Sequence, residues 1–233
     1  AEDRRDYDFC MIARVMVGVG ERKGVIKIDC GLPHLMIQNA PWLKRLEIND
    51  VIKNILIHSD AVPAEVAVSS VEDYLQCTFH NNNTPGHYAK NTAIDFYVGD
   101  ELVRNLEIPA GSDIKPYVFA GMAFDKVTFL DGEGKTSVGE YAFANDTRLR
   151  DLEFAGGISS LGEMSFSGTG VESVTLPEVL SSIGPRLFRG CSRLRKVVFP
   201  HNLGYLPYQT VDYCPKLEQL IIPEGVTGAG YYV

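Results

Sequence analysis

Apolar residues between Ser137 and Pro223 follow one pattern that is written four times. Each copy begins with an aliphatic residue followed by glycine or proline, continues to a large apolar residue, and ends in a Leu-x-x-Leu-x-Phe type of segment. The apolar positions of the four copies are Val138, Phe143, Leu149, Leu152 and Phe154; Leu161, Phe166, Val171, Val174 and Leu176; Ile183, Phe188, Leu194, Val197 and Phe199; and Leu206, Val211, Leu217, Leu220 and Ile222. One copy cannot bury these residues alone. Stacking copy on copy buries them in one continuous core, so the pattern predicts a solenoid.

The end of each copy predicts a short strand. Leu152 and Phe154 alternate with polar residues, and equivalent strands of successive coils pair in parallel about 4.8 Å apart. Pro177, Pro200 and Pro223 follow three of these strands directly, where a residue without an amide donor ends the ladder. The segment from Glu140 to Phe143 predicts a short helical turn on the outer side.

Glycine occupies one position of the pattern repeatedly. It follows the first aliphatic residue of a copy at Gly139, Gly162, Gly184 and Gly230. This recurrence predicts a backbone position that excludes a Cβ atom.

The segment SIGPRLFRGCSRLRKVVFP, from Ser182 to Pro200, resembles repeats of the BspA-like leucine-rich repeat family, which read roughly I-G-x-x-A-F-x-x-C-x-x-L-x-x-V-x-L-P. The recurrence interval of about 23 residues lies within the 20–29 range of leucine-rich repeats. The resemblance implies a right-handed leucine-rich-repeat solenoid of the α/β class, mainly β, with parallel strands and short helical turns. It also implies a secreted or surface-attached bacterial protein that binds other proteins, including host matrix or cell-surface components.

The chain before the regular repeats divides into two predicted regions. Residues 1–31 contain the apolar runs Met11–Val17 and Val25–Ile28 around a Gly-rich turn, and predict an N-terminal capping hairpin. The solenoid then covers residues 32–233. Within it, residues 71–103 resemble an irregular variant coil of the same family, with a short helix and a hairpin at Gly99-Asp100, and regular repeats cover residues 104–233.

Composition excludes several classes of partner. The net charge is −8 at pH 7 with a pI near 5.1, and the sequence has no Lys/Arg run, which argues against nucleic acid and anionic membranes as partners. No apolar run reaches transmembrane length, so membrane insertion is not expected. The start at Ala1-Glu2-Asp3 is compatible with a mature secreted chain or a shortened one. Together with the resemblance, this favours an extracellular or cell-surface location.

Five cysteines, an odd number, exclude a complete disulfide framework. Cys191 and Cys214 occupy the same position in adjacent copies, which leaves a disulfide, a metal pair or two buried thiols as alternatives. We expect two unbridged thiols, because side chains that point side by side into a core give a poor disulfide torsion.

Candidate catalytic and metal-binding residues are weakly placed. His58-Ser59-Asp60 are adjacent, which is not the geometry of a triad, and Cys30 with His34 is an isolated thiol–imidazole candidate. His80 and His87 flank an Asn-rich loop with too few ligands for zinc. The acidic turn Asp131–Lys135 has too few ligands for calcium. We therefore expect no enzyme activity, no cofactor and no metal site. A hydrolase in the irregular N-terminal third and a structural spacer remain as alternatives.

The outward positions of the predicted strands form the candidate binding face, because solenoids present extended surfaces to macromolecules. This face changes from acidic at Asp151 and Glu153 to basic near Lys196. The predicted binding residues are Asp125, Lys126, Thr128, Asp151, Glu153, Ser173, Thr175, Lys196, Val198, Gln219 and Ile221.

Overall fold

Parallel strands wind the chain into a solenoid. The computed structural model describes residues 12–14, 24–38, 40–57, 61–79 and 93–233. Its strands, in chain order, are β1 Ile12–Arg14, β2 Val25–Ile28, β3 His34–Ile37, β4 Arg45–Ile48, β5 Ile55–Ile57, β6 Glu65–Val68, β7 Asp95–Val98, β8 Glu101–Leu102, β9 Asn105–Ile108, β10 Asp113–Ile114, β11 Lys126–Phe129, β12 Thr136–Val138, β13 Asp151–Phe154, β14 Ile158–Leu161, β15 Ser173–Thr175, β16 Ser182–Ile183, β17 Lys196–Val198, β18 Tyr205–Leu206, β19 Gln219–Ile221 and β20 Gly228–Ala229. The helical segments are α1 Val71–Gln76 and a 3₁₀ turn at His201–Leu203.

The strands form two sets of ladders, which are parallel except where β8 pairs antiparallel with β7. The main strands pair in the orders β2-β4-β6-β7-β8, β9-β11-β13 and β15-β17-β19, and the shorter strands pair in the orders β1-β3-β5, β10-β12-β14-β16 and β18-β20. Equivalent repeat positions pair across coils, as Val127 does with Leu152 and Val197 with Leu220. The mainly β solenoid expected from the sequence is therefore confirmed.

A column of phenylalanine rings runs through the core. Phe143 stacks on Phe119 and on Phe166 with ring centroids 5.2 Å apart in each case, and Phe166 stacks on Phe188 at 6.0 Å. All four side chains are fully buried. Each ring therefore completes the burial of its copy one coil away, as the repeat pattern predicts.

Glycine is required where the turns after the short strands β12, β14 and β16 cross the previous coil. A Cβ atom would lie 2.7 Å from the Pro116 nitrogen at Gly139, 2.6 Å from the Glu140 nitrogen at Gly162, and 2.3 Å from the Glu163 nitrogen at Gly184. These glycines have no left-handed φ, so close backbone approach rather than conformational freedom explains them. The predicted exclusion of a Cβ atom is confirmed.

The outer segments are turns rather than helices. Two positions after the residue that follows each first aliphatic residue, the chain has a left-handed φ at a residue other than glycine. These residues are Tyr117, Tyr141, Met164, Arg186, Gln209 and Tyr232, with φ between 52° and 64°. A left-handed residue ends helical geometry at once. The turns are nevertheless regular, because their amides bond to the next coil, as the Tyr141 nitrogen does to the Glu163 oxygen at 2.8 Å.

The described part of residues 1–31 does not contain the predicted hairpin pairing. Strand β1 pairs in parallel with β3, and β2 pairs in parallel with β4. The two strands therefore lie in different ladders and begin the solenoid. Two apolar runs around a Gly-rich turn are compatible with both arrangements: a hairpin, and two strands of a coil in separate ladders. The sequence pattern therefore did not distinguish them. The boundary at residue 31 stays a prediction.

The described parts of the irregular coil contain the expected short helix and hairpin, and its boundaries at residues 71 and 103 stay a prediction. The α1 helix begins after Ser70, whose hydroxyl accepts a hydrogen bond from the Asp73 nitrogen at 3.1 Å. Its buried Tyr74 donates to the Val118 carbonyl at 3.0 Å and thereby joins the regular repeats. Strands β7 and β8 form an antiparallel hairpin around Gly99, as expected.

Polar side chains occupy one repeat position beside the phenylalanine column. Asp146 is fully buried and accepts hydrogen bonds from the nitrogens of Phe124 at 3.0 Å, Leu149 at 3.1 Å and Arg148 at 3.2 Å. Burial raises the pKa of Asp146 to about 8 despite these three donors. The carboxyl group thus links two coils at the start of their main strands.

The equivalent position in later coils carries Cys191 and Cys214. Both are free thiols, as expected, and each donates to the preceding coil, Cys191 to the Phe166 carbonyl at 3.2 Å and Cys214 to the Phe188 carbonyl at 3.1 Å. This repeat position therefore forms a hydrogen bond to a neighbouring coil whether it holds a carboxyl group or a thiol.

The close backbone contacts at Gly139, Gly162 and Gly184 predict that an added methyl group lowers the free energy of unfolding at these positions. Gly184→Ala should lower the free energy of unfolding by about 1–3 kcal/mol, because the new Cβ meets backbone that cannot rotate away. Gly157→Ala is the matched control, because its Cβ would lie no closer than 3.6 Å to the Gly134 oxygen. Urea denaturation of both variants measures the difference, and equal stability losses would contradict the close approach.

The buried Asp146 predicts a pH dependence of stability. Its pKa in the folded state is about 8, above the ordinary value of 3.8, so the protonated form is favoured by folding. Its contribution is complete below pH 3.8 and is lost as the pH rises to 8, by at most about 1.4 kcal/mol per pH unit. The Asp146→Asn variant should show a flatter decline in the free energy of unfolding. Parallel curves would mean that the three backbone donors keep the carboxylate ionised.

Candidate recognition surface

The predicted binding residues lie on one surface, which we name the strand face: the outward side chains of strands β11, β13, β15, β17 and β19. Register places them in two lines. Lys126 pairs with Asp151, and Ser173 pairs with Lys196, which pairs with Gln219. The second line contains Thr128 and Glu153, followed by Thr175, Val198 and Ile221. Asp125 precedes β11 and lies at the edge of this face. All of these residues are half-buried or exposed.

Charges on the strand face are unevenly paired. Lys126 Nζ lies 2.7 Å from Glu153 Oε2. Asp151 and Lys196 are exposed and have no ion pair within the described residues. Ile221, with 44% exposure, adds an apolar side chain two positions along from Gln219. The acidic-to-basic change expected from the sequence is therefore present, although Lys126 and Glu153 largely offset each other.

The strand face is interrupted between β13 and β15, which belong to different sheets. The interruption coincides with a shorter coil, in which Val171 follows Phe166 by five positions, whereas Leu149 follows Phe143 by six. A recess of about 460 Å³ lies there, lined by Leu152, Glu153, Phe154, Ala155, Ser173 and Thr175. We name it the strand-face recess. The repeat pattern predicted a flat or concave sheet and did not predict this recess.

Other sequence candidates are not brought together. Cys30 is exposed, His34 is half-buried, and no hydrogen bond among the described residues joins them. His58-Ser59-Asp60, His80 and His87 lie outside the described residues. The part of the chain that the structure describes holds no group of three or more His, Cys, Asp or Glu side chains suited to a metal ion. In the turn Asp131–Lys135, the Asp131 carboxylate accepts from the Gly132 nitrogen at 3.0 Å.

Comparison with known proteins identifies the repeats. The family model described as "BspA type Leucine rich repeat region" matches six copies over residues 112–233, more than half of the chain. A search of curated proteins finds no match. A solved leucine-rich repeat protein from Bacteroides ovatus is similar with a TM-score of 0.36 and 14% identity, covering 92% of this chain and 76% of that one.

The family match agrees with the geometry. Residues 112–233 contain the glycine and phenylalanine columns and the strands β11 to β19 in repeat register. Leucine-rich-repeat domains generally mediate protein interactions and are typically non-enzymatic. The chain belongs to the BspA-type leucine-rich-repeat family.

Proposed function

We propose that this protein is a non-enzymatic recognition module that binds a protein partner through the strand face. The observation that carries the proposal is the strand-face recess, because Glu153, Ser173 and Thr175 were expected as binding residues and line it. Protein interfaces obtain much of their affinity from a few side chains anchored in such pockets. Here an anchor would contact the buried Leu152 and the half-buried Phe154.

The rigidity of the strands favours binding at this face. Strands β15, β17 and β19 are hydrogen-bonded to one another, and their inward residues Val174 and Val197 are buried. Side chains on such a surface have little backbone freedom to lose, which reduces the entropic cost of association. The outer turns offer exposed aromatic side chains, including Tyr213, on turn segments rather than on a hydrogen-bonded sheet.

The arrangement of charge favours one orientation of the partner. Asp151 and Lys196 lie on opposite sides of the strand-face recess and have no ion pair within the described ranges. A partner with complementary charges would gain association rate and orientation more than affinity. Exposed Ile221 adds an apolar contact at the basic end.

The family also bears on location and partner class. BspA-type leucine-rich-repeat proteins are typically secreted or surface proteins. Within the described ranges, no helix has the length and apolar character needed to cross a bilayer. We place this chain among the secreted or cell-surface adhesion proteins of bacteria, with a host matrix or cell-surface protein as partner.

A structural spacer and a hydrolase are the rival functions. If the protein is only a spacer, the strand face is not its binding surface, and charge reversal anywhere on that face leaves partner binding unchanged. A hydrolase would need a deep pocket that joins Cys30, His34, His58 or His80. Of these, the structure describes Cys30 and His34, and no hydrogen bond among the described residues joins them. The recess at the centre of the predicted face favours recognition over both.

The proposal predicts loss of binding when the basic and apolar end of the face is changed. The Lys196→Glu/Ile221→Glu variant should bind a protein partner at least about tenfold more weakly, because it reverses an exposed charge and removes an apolar contact. Surface plasmon resonance with an extracellular matrix protein that binds the unchanged chain measures this effect. The Lys135→Glu/Val179→Glu variant carries the same chemical change on exposed turns and should bind normally.

One combination of results would reject the strand face. If the Lys196/Ile221 variant binds normally while changes in residues 81–84 abolish binding, the site lies in the irregular coil. Equal losses in the test and control variants would indicate a nonspecific effect of net charge, which also contradicts the proposal.

A further inference from the structure

A second recess of about 460 Å³ lies beside the strand face, where the outer turns lead into the main strands. Asp125, Thr147, Arg148, Arg150, Ser192 and Arg193 line it. We name it the arginine recess. Only Asp125 was among the residues expected from the sequence, and that expectation concerned the strand face.

The short coil carries no side chain that could fill this recess. The lining residues Thr147 and Arg148 lie in one coil and Ser192 and Arg193 lie two coils later. The coil between them is one residue shorter and carries Gly170 at this level. A Cβ atom on Gly170 would lie 2.4 Å from the Thr147 oxygen, so this chain segment lies directly against its neighbour and offers no side chain to fill the gap.

Arg148 is already fully engaged in the recess. Its Nη2 lies 2.8 Å and 3.1 Å from the two carboxylate oxygens of Asp125, and its Nε lies 3.1 Å from Asp125 Oδ1. Planar guanidinium and carboxylate groups match in this way because two parallel N–H bonds form at once. The recess therefore already contains one arginine–carboxylate pair, formed by Arg148 and Asp125.

Arg150 and Arg193 are much less well paired. Both approach the same oxygen of Glu172, Arg150 Nη1 at 3.4 Å and Arg193 Nη1 at 4.0 Å. A guanidinium carries five N–H donors in a fixed fork, so one shared oxygen leaves most of them available. Both side chains are about half exposed, and within the described residues neither has another ion pair. Positive charge exceeds negative charge at this place on an otherwise acidic chain.

We propose that the arginine recess binds a carboxylate side chain of the protein partner, with Arg150 and Arg193 as the paired donors. This inference rests on the proposed function, and it specifies an acidic residue in the part of the partner that extends past the starts of β13 and β15. The hydroxyls of Thr147 and Ser192 lie within the same lining and can complete the bonding of the carboxylate. A heavily sulfated polymer fits less well, because the net charge of −8 repels a long polyanion.

A labelled tetraglutamate peptide tests the inference by fluorescence polarisation at low ionic strength. The unchanged chain should bind the peptide, and Arg150→Gln/Arg193→Gln should weaken binding about tenfold or more, because two charge-assisted contacts are lost. Arg195→Gln is the matched control, because Arg195 lies two positions after Arg193 but is already paired with Glu218 at 2.6 Å. It should bind the peptide normally.

A variant that should bind the peptide more tightly separates loss of the binding site from misfolding, because a misfolded protein would not gain affinity. Glu172→Gln removes the carboxylate that Arg150 and Arg193 share, so it should strengthen peptide binding severalfold. Inserting one asparagine after Thr169 restores the length of the short coil and should fill the recess and abolish binding, with circular dichroism confirming the fold. Unchanged binding in the Arg150/Arg193 variant, or weaker binding in Glu172→Gln, would overturn the inference.

Two further arms separate this inference from its rivals. Tighter recess-dependent binding of a sulfated disaccharide than of tetraglutamate would overturn the assignment to a carboxylate. The Lys196→Glu/Ile221→Glu variant should keep tetraglutamate binding while it loses the protein partner. If no tetraglutamate binds to the unchanged chain, the arginine recess is rejected as a carboxylate site. The strand face is then judged only by the Lys196→Glu/Ile221→Glu experiment.

Discussion

The contact between equivalent side chains of successive coils is the interaction on which this structure depends. Phe143 is buried because Phe119 and Phe166 cover its two faces, and neither neighbour would be covered without it. The glycines permit this spacing, because at Gly162 even a methyl group would meet the backbone of the preceding coil at 2.6 Å. Strand ladders and outer-turn amide ladders then follow from the same stacking distance.

A regular stack leaves little room for recognition, so its departures from regularity are informative. The coil from Phe166 to Val171 lacks one residue, and the strand ladder stops between β13 and β15 beside it. Both recesses described above lie along this coil, one on the strand face and one at the starts of the strands. The strand-face recess thus lies next to a cluster of arginines along the same coil. This pairing of an anchor with a charge is suited to a protein interface.

Sequence reasoning reached the stacked core because period and residue type coincide there. Phe143, Phe166 and Phe188 recur at one position, and a solenoid is the arrangement that buries all of them. It failed where one pattern fits two arrangements, as with Val25–Ile28, which pairs in parallel with Arg45–Ile48 instead of forming a hairpin. The left-handed φ of Tyr141 has no signal in residue type, since glycine is the usual choice. The deletion after Phe166 was visible in the spacing, but the same spacing follows Phe119, where the ladder β9-β11-β13 continues, so spacing alone did not predict the recess.

Hydroxyl-radical footprinting of the protein alone and with a bound protein partner tests the central claim most directly. Side-chain labelling suits a strand surface, because the strand amides are already hydrogen-bonded before any partner binds. The account predicts protection of Val198 and Ile221 on the strand face and of Phe154 in the strand-face recess, with unchanged labelling of the exposed Tyr213 and Tyr231 as internal references. Protection of those tyrosines with unchanged labelling of the strand face would contradict it.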